Sequence, residues 1–158
     1  MDHCIGAELD QKRALDRHYP AAMILSADSG STYENLLTQT PPFLPEGAHF
    51  MVGVVTVPPG DPGSGPHRHT GPVFGYVLEG EILFELEGEE PYPIKAGEAF
   101  WEPGGEVVHY QAGNLREDIA SRFVVCMACA PDVPMLTFLE PEEIRERDHL
   151  RHPSARQF

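Results

Sequence analysis

From Phe74 onward the chain is interrupted every few residues by glycine or proline, and the pieces between them alternate. The clearest piece is "EILFELE", Glu81–Glu87. Ile82, Phe84 and Leu86 fall on one side of an extended chain, and Glu81, Glu85 and Glu87 on the other. "HFMVGVVTV", "PYPIKA", "EAFWEP", "EVVHYQA", "SRFVVCMACA" and "PMLTFLE" supply further short strands, and Phe74–Leu78 another. The prolines of "PYPIKA" suit an edge. No helical period separates these strands, so the pattern predicts an all-β sandwich or barrel rather than βαβ units. We expect an N-terminal arm over residues 1–48 with a short helix at Ala7–Arg17, a barrel over 49–139, and a charged C-terminal tail over 140–158. The tail reads as one helix starting at Pro141.

Composition limits the partners. The chain has 158 residues, enough for one domain with a core, and a formal charge of −14. Such a charge repels a phosphate backbone and an anionic bilayer surface, so neither nucleic acid nor membrane is an expected partner. The N-terminus has no signal-peptide pattern and no segment is apolar enough to span a bilayer, which predicts a cytoplasmic protein. "CMAC" places Cys126 and Cys129 three apart on a predicted strand, on opposite faces, so they read as ordinary strand cysteines and not as a chelating pair.

The histidines carry the chemistry. His67 and His69, two apart in "GPHRHTGPVFGYVLEGE", share one side of an extended chain and can face one ion. His109 follows the reversal made by Pro103, Gly104 and Gly105. In a sheet that rolls up, it comes beside the first pair. Three neutral nitrogen donors suit iron, zinc, nickel or copper. His3, His18, His149 and His152 lie in charged terminal surroundings and read as solvated.

At these residues the chain resembles a small single-domain cupin. That family's first motif runs Gly, five residues, His-x-His, three or four residues, Glu, six residues, Gly. His67, His69 and Gly80 match it, and both counts put the glutamate at Val73. The second motif runs Gly, five residues, Pro-x-Gly, two residues, His, three residues, Asn. Gly97, Pro103 and Gly105 fit in register; His109 comes one residue late, which a β-bulge accommodates, and Asn114 stands near the closing position.

The resemblance implies a double-stranded β-helix (jelly-roll) barrel with short terminal helical segments, and a divalent transition metal held by His67, His69 and His109. Iron(II) is the expected ion, with zinc, nickel, copper and manganese as alternatives. Without the glutamate the ion would keep its full double charge and favour an anionic chelating substrate. Among replacements for the acid, Glu102 and Glu106 flank the Pro-Gly-Gly turn. Gln111, two residues from His109, is the preferred candidate for a weak fourth ligand or for a hydrogen-bonding partner behind the ligands, unless a bulge shifts the phase, and Tyr76 reads as a core aromatic or as a group that holds a bound oxyanion.

Three functions follow. The first is a non-haem iron(II) oxygenase acting on a small chelating organic acid or diketone-like molecule. The second is a metal-dependent isomerase, cyclase or decarboxylase, and the third a non-enzymatic small-molecule-binding cupin. The resemblance also implies a homodimer, with His49–Val57 and the N-terminal arm as contact elements.

Overall fold

The computed structural model describes residues 22–24 and 32–157. Two compact units are present, residues 1–40 and 41–158. In the first, β1 (Ala22–Ile24) pairs antiparallel with β2 (Thr32–Glu34). The expected helix at Ala7–Arg17 lies outside the described residues.

The second unit is a jelly roll of nine strands in two sheets. One sheet has the order β3-β10-β5-β8, where β3 is His49–Val57, β5 Val73–Glu79, β8 Ala99–Glu102 and β10 Ser121–Cys129. The other has the order β11-β4-β9-β6-β7, where β4 is His67–Arg68, β6 Glu81–Leu86, β7 Tyr92–Lys95, β9 His109–Asn114 and β11 Thr137–Phe138. Every pairing is antiparallel. As the prolines require, β7 is an edge. Among the described residues no helix is long and apolar enough to cross a membrane.

The core forms where the two inner faces meet. Val73, Val77, Ile82, Phe84, Ile94 and Phe100 are buried there, as the alternation of their strands demands. The Phe84 ring packs 4.9 Å from Phe100 and 4.7 Å from His109, centroid to centroid, so the aromatic core is also the floor under one of the three histidines. Gly75 is an inward position without a side chain, and a β-carbon there would overlap the Phe100 ring. Gly80 turns β5 into β6 at φ +80°, a backbone state that favours glycine. Cys126 and Cys129 are free thiols, the first half-buried and the second buried.

The register shift expected at His109 is present. Glu85 opposes Gln111 and Leu86 opposes His109, so Tyr110 is the extra residue of β9. The bulge lets both His109 and Ala112, three apart, face inward.

The tail departs from a single helix. Helix α1 covers Pro141–Arg147 and gives way to 3-10 turns at Asp148–Leu150 and Pro153–Gln157. Pro153 cannot continue the helical ladder, and it disfavours the α conformation at His152. Nor is the tail held only by its own charges. Ile144 packs on a second small cluster of Val108, Tyr110 and Leu139 outside the barrel. Arg147 makes a two-point pair with Glu87 at 2.8 and 2.6 Å, and Arg68 pairs with Glu143.

Candidate metal centre

His67 pairs directly with His109 across β4 and β9, and the two rings stand 4.8 Å apart. His69 follows two residues on, its ring 4.9 Å from that of His67. All three side chains are buried. The expected trio therefore does converge, with a fourth group among them. The ligand atoms of His67, His69, Glu102 and His109 all lie within 4.8 Å of one another.

Glu102 comes from β8, not β5. It stands directly opposite Val73 in the antiparallel pair. Directly opposed residues point to the same face with β-carbons about 5 Å apart. The acid missing from the Val73 position is thus supplied from one strand over, on the same inward face. Glu102 is 4% exposed, and its Oε2 lies 3.4 Å from His69 Nε2 and 3.2 Å from His109 Nδ1. The idea of a centre with no carboxylate, and hence an ion of undiminished charge, is corrected by this residue.

The hydrogen bonds on the outer ring nitrogens fix which atoms point at the centre. His67 Nδ1 donates to the Gly65 carbonyl at 2.8 Å, His69 Nδ1 to the Met135 carbonyl at 3.0 Å, and His109 Nε2 to the Gln111 carbonyl at 2.9 Å. A carbonyl only accepts, so each outer nitrogen carries the hydrogen and each inner nitrogen of a neutral ring carries a lone pair. His67 Nε2 and His69 Nε2 then face each other at 3.2 Å with no hydrogen between them. In the neutral ring the buried His109 Nδ1 has no hydrogen-bond donor, because Glu102 Oε2, 3.2 Å away, is also an acceptor; only a protonated His109 can bond it. Inward lone pairs around a carboxylate, each ring held from behind by a carbonyl, form a donor set that could hold a divalent transition metal, and such an ion would satisfy the His109 Nδ1 lone pair.

Electrostatics agree with that polarity. Burial, reinforced by the charge of His109, pushes His67 down to about 4. His69 is also lowered, mainly by burial and against the pull of Glu102. For Glu102, burial works to raise the pKa, but the charge and hydrogen bonding of His109 outweigh it and the carboxyl stays below its usual range. Burial likewise opposes a charged His109, and the Glu102 carboxylate overcomes it, so His109 is raised. Without an ion, one proton on His109 is the cluster's charge balance.

Gln111 and Tyr76 do not join the cluster. The Tyr110 bulge puts the Gln111 side chain on the outer face, where its Nε2 donates to Glu85 Oε2 at 3.0 Å; only its backbone carbonyl serves the centre. Tyr76 alternates with the inward residues Val73, Gly75 and Val77, so its half-buried ring lies on the outer face. The inward-facing tyrosine is Tyr92, opposite Phe84 on β7 with its ring 5.7 Å away. Asn114 is a structural residue: its amide reaches the carbonyls of Val57, Pro58 and Ile119 and ties the chain crossings at the barrel's far end.

The family model described as "Cupin domain" matches residues 53–126. No curated protein matches the chain at a significant level. Among solved structures, the chain is similar to an uncharacterised double-stranded β-helix protein of Klebsiella pneumoniae, at 21% identity, covering 58% of this chain and 75% of that one with a TM-score of 0.47. An RmlC-like cupin of Methanocaldococcus jannaschii is 21% identical, covering 72% of this chain and 94% of that one with a TM-score of 0.46. A polyketide cyclase of Streptomyces resistomycificus is 26% identical, covering 64% of this chain and 72% of that one with a TM-score of 0.46. Over residues 53–126, a span that holds His67, His69, Glu102 and His109, the chain is similar to the cupin domain.

Proposed function

We propose that the protein is a metal-dependent enzyme, a non-haem iron(II) oxygenase acting on a small chelating organic acid or diketone-like molecule. The observation that carries the metal reading is the set of inward lone pairs, with the buried, unbonded His109 Nδ1 among them. His67, His69, Glu102 and His109 would hold the ion. An ion held by these four side chains would retain room for oxygen ligands. A redox-active ion there would polarise the substrate's oxygens and supply electrons to dioxygen. One carboxylate reduces a divalent ion to a net single positive charge, which still favours an anionic ligand. Val73, Phe84 and Phe100 wall the centre with apolar surface and keep bulk water from its inner side.

The test is elemental analysis and oxygen consumption on protein purified without air. About one iron per chain is expected, with little in His109→Ala, and oxygen uptake that depends on an added hydroxy or keto acid. Turnover that persists without oxygen would instead mean an isomerase, cyclase or decarboxylase. No metal in the native protein would sink the enzyme reading in both forms.

A homodimer belongs to the same proposal. On the outer face of the four-stranded sheet, Phe50, Val52 and Val54 are 65%, 74% and 54% exposed, and Val52 and Val54 pair across β10 with Cys126 and Val124. An apolar sheet face this exposed supports burial against a second copy. Sedimentation at micromolar concentration should give twice the chain mass, and Val52→Glu with Val54→Lys should halve it. A native monomer would count against pairing.

A further inference from the structure

Behind His109 runs a chain of contacts that ends on the C-terminal tail. His109 Nε2 donates to the Gln111 carbonyl at 2.9 Å. The side chain of the same Gln111 donates to Glu85 Oε2 at 3.0 Å. Glu85, on the outer face of β6, is 1% exposed, although its position in the sequence is that of a solvent-facing acid. It is covered by Arg151, whose Nε and Nη2 meet its two oxygens at 2.7 and 2.9 Å. The guanidinium also lies 4.7 Å over the Tyr110 ring, on the bulge residue between His109 and Gln111. Arg151 therefore meets the bulge directly at Tyr110 and, through Glu85, at Gln111.

The segment just before the tail supports a second histidine. The Met135 carbonyl holds His69 Nδ1, and β11 pairs with β4 so that Phe138 opposes His67. A two-residue strand carrying one ligand and leading to another is held on one side by this segment.

Resting on the metal reading above, we propose that Arg151 is a positioning residue for the metal centre, acting through Glu85 and Gln111 on the orientation of His109. A buried carboxylate that stays charged after losing its two-point cationic partner turns toward another donor. The acceptor of the Gln111 amide then moves, and with it the carbonyl that holds His109 Nε2. Loss of an outer hydrogen-bonding partner of a metal-binding histidine weakens metal affinity by about 10–100-fold. The tail is thus part of the centre, although it contributes no ligand to it.

Arg147 is the internal control. It docks the same tail through Glu87, which meets the bulge only by a long 3.5 Å hydrogen bond from Tyr110 Oη; among the described residues neither partner bonds Gln111 or His109. Cobalt(II) affinity, measured by competition with a chromophoric chelator, and the visible d–d bands of the bound ion are the readouts. Arg151→Met should weaken cobalt binding by about 10–100-fold and shift the bands. Arg147→Met should stay within about threefold. Adding Glu85→Gln to Arg151→Met removes the unpaired charge and leaves Gln111 an acceptor, so it should recover most of the loss, which a role in tail docking alone would not produce. The proposal is overturned if Arg151→Met binds within about threefold of the native protein, if Arg147→Met loses as much, or if the double variant shows no recovery. Native protein that takes up no cobalt would instead overturn the metal reading itself.

Discussion

Glu102→Gln should lower divalent-metal affinity by at least about 100-fold, more than the loss of an outer hydrogen-bonding partner would cause. The substitution keeps size and shape but removes the one anionic donor among three imidazoles. It also leaves His109 without the carboxylate that stabilises its charged form. The discriminating variant is Val73→Glu combined with Glu102→Val. These two residues oppose each other on β5 and β8, both buried and both on the inward face. Exchanging them conserves the pair's volume and returns the acid to the place where the motif has it. If the centre needs a carboxylate at that point of the barrel wall, the double variant regains most of the affinity that Glu102→Gln loses. Metal content by elemental analysis and affinity by chelator competition read both. Unchanged metal uptake in Glu102→Gln would remove Glu102 from the site.

The sequence revealed the histidines but misplaced their companions, and the reasons differ. His67 and His69 needed only the two-residue period of a strand. The motif counts from His69 and from Gly80 both ended at Val73. Glu102 required knowing that β8 lies beside β5 with those two residues in register, which is a long-range fact. A local signal was available: in "AFWE", Phe100 and Glu102 share a face, and that face is the core. Gln111 failed because the bulge that aligns His109 also reverses the phase beyond it. Tyr76 failed on parity alone, three residues from Val73 and so on the opposite face.

The tail shows a different limit. Its charges read as one helix starting at Pro141, and only its histidines read as solvated. Whether Glu85 and Glu87 see water or Arg151 and Arg147 depends on where the chain returns after β11. No property of β6 encodes that return. The fold class was legible because it rests on local alternation and turns; the ion pairs were not, because each joins residues some sixty positions apart.

Acid should destabilise the metal-free protein through the centre itself. His67 is held down to about 4 by burial and by the charge of His109. Between pH 6.5 and 4 the unfolded chain therefore takes up a proton at this residue that the folded chain refuses. The stability His67 contributes is complete above pH 6.5 and is lost as pH falls through that window, about 3 kcal/mol from this one group. His69, also lowered, adds in the same direction. His109, raised, has the opposite sign: its contribution is complete below pH 6.5 and is lost as pH rises through its folded value, so it adds no slope on the acid side. Glu102, lowered, loses its contribution only further down, as pH falls through its own folded value. Urea midpoints measured in chelator from pH 7 to 4 should fall steeply for the native chain and less steeply for His67→Leu. Added metal should raise the midpoint at pH 7 and have little effect near pH 4, where protons compete for the same lone pairs. Equal slopes for the native chain and His67→Leu would mean that His67 is not the buried, proton-refusing group described.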